Sequence, residues 1–535
     1  MRTIETTADR RRSLALVLAG LAWGVQLTWG IPASAQLGIQ DLQWLPARSL
    51  EGRMGAAMAV ADFDGDGFED LAVGLPDADV GSALDIGVVQ VFFGSRDGLL
   101  LPAQNLRESS FPLGNSETGD RFGAALAAAD FDQDGFADLA IGIPGEDISG
   151  AANAGKVVVL YGQGLQALDT SRVTFFEASD LSGTAEPGDE FGAALAAGRL
   201  GGGFFPDLAI GVPGQEVGGF DGAGAVVVVR STGPDGLETA GHRNLTQNTT
   251  GVFGIASPDD RFGTALAIGD VNQDFLGDLI IGSPGDLVGL EPGSGAVQMI
   301  PGGVGAVVIG PDQRLWNQDT AGLLGDAAGG DEFGAAVSLG DFNGDGLTDL
   351  AIGVPGESQF GPQESGAVQI LFGGVGGLTT EDGQVLLESL LSPEVATFDR
   401  FGSALTTGDF NADGRDDLAV GMPLDNVLGT VNAGNVPVLY GGPSGLEVAG
   451  AQLWNGLFLL SLEPGDELGF AVAAGRFTGG PADDLAIGVP GREVDGQAQA
   501  GGALVLRSQS LFADDFESGG LSRWSQATRV ETERP

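Results

Sequence analysis

The residues best suited to chemistry in this chain are aspartates set at alternate positions. Asp62, Asp64, Asp66 and Asp70 occupy positions 1, 3, 5 and 9 of one nine-residue stretch, with Gly67 at position 6. Carboxylates at 1, 3 and 5 converge when the backbone curls, and glycine at 6 permits the sharp turn. The carbonyl of Phe68 at position 7 and the carboxylate of Asp70 close the shell. An all-oxygen set with several carboxylates suits calcium. So many like charges at short range repel one another and call for a cation. The pattern returns complete at Asp130, Asp132, Asp134, Phe136 and Asp138, at Asp341, Asn343, Asp345, Leu347 and Asp349, and at Asp409, Asn411, Asp413, Arg415 and Asp417. A further copy has Asp270, Asn272, Asp274, Leu276 and Asp278, but Phe275 replaces the turn glycine. Two more copies, Gly198 to Asp207 and Gly475 to Asp483, lack the cage and are expected to hold no ion. The expectation is therefore four or five Ca²⁺ sites. These loops are not EF-hands, which need glutamate at position 12 and helices on both sides. Position 12 falls on Val73, Ile141, Ile352 and Val420, inside apolar strand-like runs.

The elements that must carry these loops repeat with them. The leucine of an Asp-Leu-Ala or Asp-Leu-Ile core falls at 71, 139, 208, 279, 350, 418 and 485. A fixed period of this kind marks one supersecondary unit reused, which buries its apolar faces against its neighbours. Each unit holds four short runs bounded by Gly, Pro or Asp, which read as strands joined by hairpins. The first run is rich in Ala and Gly (Gly123 to Ala129, Gly192 to Ala197), too short for a helix and small enough for a crowded axis. The later run, such as Gly155 to Tyr161 or Gly224 to Arg230, fits a buried mid-sheet strand. Seven such units predict an all-β fold, a seven-bladed β-propeller of four-stranded antiparallel blades spanning 36–510. The seventh unit lacks a fourth strand, and Ile39 to Leu45 resembles the fourth strand of the others. This N-terminal segment is expected to complete the last blade and close the ring.

Composition bounds the rest. The 535 residues carry a formal charge of −49, no Cys and one His. Such acidity disfavours nucleic acid, which needs basic patches. Arg10 to Arg12, the apolar run from Leu14 to Trp29, and Ala33-Ser34-Ala35 read as a secretory signal peptide over 1–35. No later run is long and apolar enough to span a bilayer. The expected location is secreted, cell-surface or periplasmic, with the chain monomeric. Residues 511–535 form an acidic-aromatic tail.

The pairs Phe122-Gly123, Phe191-Gly192, Phe262-Gly263, Phe333-Gly334 and Phe401-Gly402 are each followed by a Gly-x-Pro, such as Gly142-Ile143-Pro144 and Gly353-Val354-Pro355. The chain thereby resembles the FG-GAP repeats of the integrin α-subunit head. That resemblance implies a seven-bladed propeller with calcium between the first two strands of some blades, used as a platform for adhesion. The first copy has Met54-Gly55 and the seventh Leu468-Gly469, which predicts different packing at those two points. A protein or glycan ligand is expected on inter-blade loops such as those beginning at Asp77, Glu146 and Glu357. FG-GAP propellers also occur beside hydrolase domains, as in glycosylphosphatidylinositol phospholipase D, whose zinc domain needs a His/Asp cluster. This chain has only His242, expected in a polar loop beside Arg243. The chain is read as a non-enzyme with no catalytic residues. The alternative is a polysaccharide- or lipid-acting hydrolase or lyase that uses propeller carboxylates.

Overall fold

Alternating runs of small and β-branched residues, punctuated by Gly and Pro, build a ring of sheets in the computed structural model. It describes residues 37–508 apart from 48–51, 81–82, 112–115, 165–166, 182, 304, 324, 393–394, 460–461 and 495. The expected signal segment and acidic-aromatic tail lie outside the described residues. Seven four-stranded antiparallel sheets are present, with no α-helix among the described residues. Blade 1 runs Ala57–Ala61, Asp70–Leu75, Val88–Phe92 and Gln104–Leu106. Blade 5 runs Ala336–Gly340, Asp349–Val354, Ala367–Phe372 and Thr379–Leu387. The Ala/Gly-rich first strands neighbour one another around the axis, and that of blade 7, Val472–Gly475, meets that of blade 1.

Blade 7 is completed as the sequence implied. Leu37–Pro46 pairs antiparallel with Gly502–Ser508, Leu42 opposite Leu506 and Leu45 opposite Ala503. The N-terminal strand thus hydrogen-bonds to the last described strand, Gly502–Ser508, and covers its open edge.

The Phe-Gly and Gly-x-Pro motifs meet where blades touch. A Cβ on Gly142, in the second strand of blade 2, would lie 2.0 Å from the Gly192 carbonyl oxygen of blade 3. Only glycine permits that approach, and the same crowding recurs at Gly74, Gly211, Gly282, Gly353, Gly421 and Gly488. Beside it, Phe122, Phe191, Phe262, Phe333 and Phe401 are fully buried between blades. Each such side chain contributes about 1.5–3 kcal/mol. The expectation of different packing at Met54 and Leu468 is corrected. Both are fully buried, and both make the parallel bridge to the adjoining blade that the phenylalanines make. The bridge uses backbone atoms, so any large apolar side chain can seat there.

Antiparallel order fixes the two faces of the ring. Hairpins joining strands one to two emerge on one face. Loops joining strands two to three, and connectors from strand four to the next blade, emerge on the other. The aspartate loops therefore share one face.

Candidate metal centres

Position two of each loop anchors it to the core. Phe63, Phe131, Leu200, Val271, Phe342, Phe410 and Phe477 are all buried there. With that plug fixed, the chain turns back on itself. Asp62 caps the turn: its Oδ1 accepts from the amides of Gly65 (2.7 Å) and Asp66 (3.1 Å), and its Oδ2 from Gly67 (2.9 Å). Asp64 accepts from the Asp66 amide and Asp66 from the Phe68 amide. Asp130, Asp341 and Asp409 cap their own turns the same way. The position-five carboxylates Asp134, Asp345 and Asp413 accept from the amides of Phe136, Leu347 and Arg415.

Side-chain oxygens of Asp62, Asp64 and Asp66 lie within 4.8 Å of one another, as do those of Asp130, Asp132 and Asp138. An ion about 2.3–2.6 Å from each oxygen fits that spacing. Burial raises the Asp64 and Asp130 carboxyls above the ordinary range, and neighbouring aspartates push the same way. A divalent cation would relieve both effects, so the donor set fits calcium. Asn343 and Asn411, at position three of blades 5 and 6, turn their amide oxygens to the amides of Asp345 and Asp413, as Asp64 does in blade 1.

Blade 4 keeps the curl without the glycine. Asp270 accepts from Gln273, Asp274 and Phe275, and Asp274 from Leu276. Phe275 adopts φ +68°, a left-handed backbone costing roughly 1–2 kcal/mol, and projects its ring into solvent. Asn272 differs from its counterparts in donating its amide to Asp278 (2.8 Å).

In blade 2 a side-chain cation already pairs with one of the clustered carboxylates. Arg172, from strand Ala167–Glu177, pairs with Asp132 while its guanidinium stacks 3.9 Å from the Tyr161 ring centre.

Position nine has a role that the spacing alone did not expose. Asp70 is fully buried, accepting from the Phe63 amide (2.8 Å) and from the Gly94 amide just past the third strand (2.7 Å). Asp138, Asp278, Asp349 and Asp417 make the corresponding pair. So do Asp207 and Asp484 in the blades without a cage, bonding Gly201 and Ser231, and Thr478 and Ser508. The strand register makes Asp484, paired with Gly475, the position-nine residue of blade 7, where the sequence reading ended its loop at Asp483. This aspartate therefore ties the loop to the third strand whether or not a cage is present. Burial, partly offset by those amides, raises Asp70 and Asp349 to about 7 and Asp138 and Asp417 to about 8. The signal was available: Asp precedes the repeated leucine in every copy, including those without a cage.

The cage-less loops keep the nine-residue length but begin with arginine. Arg199 and Arg476 stand where the others have Asp62 or Asp341. Arg476 Nε donates to Asp483 (2.9 Å), and Arg199 donates to the Gly203 carbonyl (3.0 Å). Neighbouring loops are also joined. The position-eight amides of Glu69, Ala137, Gly277, Asp416 and Asp483 each donate to the position-one carbonyl of the preceding loop.

The loops proposed as contact surface are rooted more deeply than their sequence suggested. Glu146 and Glu357 point inward, Glu146 to Lys156 and Glu357 to the Gln318 amide, so neither is exposed on its loop. His242 is not in a loop. It lies in strand Gly236–Leu245, its Nδ1 2.8 Å from the Thr239 carbonyl oxygen that accepts from it.

The FG-GAP repeat family matches residues 54–92, 122–160, 262–298, 333–371 and 401–439. Those segments are blades 1, 2, 4, 5 and 6, the five with aspartate at position one. Phosphatidylinositol-glycan-specific phospholipase D of Homo sapiens is 28% identical over 387 residues, 70% of this chain and 43% of that protein. Integrin alpha-PS2 of Drosophila melanogaster is 31% identical over 244 residues, 44% of this chain and 16% of that protein. Integrin alpha-8 of Mus musculus is 34% identical over 131 residues, 24% of this chain and 11% of that protein. The chain thus spans less than half the length of each of these relatives.

Proposed function

Starting from the premise that this chain is an FG-GAP repeat protein with a propeller resembling that of the integrin α-subunit, we propose that it is a secreted, calcium-stabilised binding or adhesion module. The observation that carries this reading is the distribution of exposed apolar side chains. Most of them stand on the face opposite the aspartate loops, among them Ile255, Leu287, Leu290, Phe360, Leu428 and Val431. Scattered surface apolar residues are ordinary, but a concentration on loop tips of one face suits a protein ligand. Calcium at the other face would rigidify each aspartate loop by linking its side-chain oxygens at positions one, three and five. No ion takes part in chemistry on a ligand. No helix among the described residues is long and apolar enough to cross a membrane.

The test places a photocrosslinker at Leu290 or Leu428 and, as control, at Phe275 or Val375 on the calcium-loop face. With envelope material of the source cell and calcium present, crosslinks should form from the first pair only. Equal yields from both faces would contradict the reading. The second reading, a lipid-acting hydrolase, is favoured by the likeness to the phospholipase D named above. Release of a glycosylphosphatidylinositol-anchored reporter by the purified chain would support it.

A further inference from the structure

A second kind of acidic site lies between blades, beneath the face opposite the aspartate loops. At the junction of blades 1 and 2 three buried carboxylates meet: Glu108, which opens the turn Glu108–Ser110, Asp120, two residues before Phe122-Gly123, and Glu146, which follows Pro144-Gly145. Lys156 supplies one positive charge among them, its Nζ pairing with Glu146 and lying 3.5 Å from Glu108. Other junctions use other donors at the corresponding places. The Gln247 amide donates to Asp286 (3.0 Å), the Gln318 amide donates to Glu357, and Arg492 pairs with Asp466 (2.8 Å).

The junction of blades 5 and 6 repeats the three acids without the lysine. Glu388, Asp399 and Asp425 take the places of Glu108, Asp120 and Glu146, and their oxygens lie within 4.8 Å of one another. They are 2%, 0% and 8% exposed. Glu388 Oε2 and Asp399 Oδ1 have no hydrogen-bond partner. The position of Lys156 is taken by Asn435, itself 7% exposed. Its amide nitrogen donates to Asp425 (3.1 Å), and its amide oxygen is buried without a partner. A half-turn of that amide would present the oxygen to the acids.

We propose that the blade 5–6 junction binds a divalent cation through Glu388, Asp399, Asp425 and the amide oxygen of Asn435, in the place that the Lys156 ammonium fills between blades 1 and 2. Uncompensated buried charge is costly, and oxygens this closely spaced can share one ion of calcium's size. The lysine-to-asparagine exchange replaces an internal cation with a neutral oxygen ligand, which is the change such a site requires. The ion would pin the connector carrying Asp399 to the loop carrying Asp425, both on the face with the exposed apolar tips. The inference does not rest on the aspartate loops, because its readout is a difference between variants.

The full chain is stripped with chelator, dialysed against calcium, and its bound metal counted by elemental analysis. Asn435→Lys should hold one ion per chain fewer than the unaltered protein. Lys156→Asn, which shortens a side chain and needs no new space, should hold one more. Counts for Lys156→Asn and for the double variant Glu388→Gln/Asp399→Asn that equal the unaltered protein's would overturn the proposal, and would mean that the acids share a proton.

Discussion

Blades 1 and 7 adjoin at the seam of the ring and carry loops of equal length, yet one loop clusters carboxylates that could hold a cation and the other does not. Loop 1 runs from Asp62 to Asp70 with carboxylates at positions 1, 3 and 5. Loop 7 runs from Arg476 to Asp484 with arginine at 1, Thr478 at 3 and Gly480 at 5. Both bury a phenylalanine at position two, Phe63 and Phe477, and both end in a buried aspartate that accepts two backbone amides. The shared parts belong to the fold, and the parts that differ are those proposed to hold an ion. A loop can therefore lose its cation and keep its shape, provided position nine stays intact.

The largest effect should come from breaking what the two loops share. Asp70→Ala strands two buried amides and Asp484→Ala two part-buried ones, at about 1–3 kcal/mol apiece, so urea denaturation should show a loss of about 3 kcal/mol in either blade. A loss confined to blade 1 would mean that Asp70 acts mainly through calcium.

Breaking what differs should show only when calcium is present. Asp62→Asn with Asp66→Asn keeps the acceptor oxygens but removes charge. At calcium 100 times the dissociation constant, one lost site removes about 2.7 kcal/mol of stabilisation. Arg476→Ala should leave the calcium-dependent gain in Tm unchanged.

Acidity sharpens the contrast further. Asp70, Asp138, Asp349 and Asp417 sit at about 7 or 8 in the folded chain, raised chiefly by burial. The folded state then binds more protons than the unfolded chain from near the ordinary carboxylate value up to those values. The calcium-free protein should lose stability as pH rises through that window. Calcium needs the ionised forms, so the gain in Tm on adding it should grow over the same window. A calcium-dependent gain that shrinks with rising pH would contradict this assignment.

The smallest effect belongs to blade 4. Phe275→Gly relieves the left-handed backbone and should stabilise the chain by about 1 kcal/mol, measured by urea denaturation.

The ring itself was legible because its signals are local and repeated. Glycine, proline and small residues recur at fixed spacing, and even the closing strand at Leu37–Pro46 could be read from its likeness to other fourth strands. Carboxylate placement at positions 1, 3 and 5 was equally plain. The dual use of position nine was not, because a ligand and a backbone acceptor look alike in sequence. Only the partners 24 residues away, at the end of the third strand or just past it, reveal the second use. The junction acids were hidden for a different reason. Glu388, Asp399 and Asp425 come from separate loops, and only the meeting of two blades brings them together. Likewise Met54 and Leu468 looked exceptional by residue type, while the contact they make depends on backbone and volume.

Anomalous scattering from crystals grown in calcium separates the two classes of loop in one experiment. Peaks should appear within the loops of blades 1, 2, 5 and 6, with blade 4 deciding between four and five, and none beside Arg199 or Arg476. Aspartate loops without density for an ion, or an ion seated in an arginine loop, would contradict the division drawn between them.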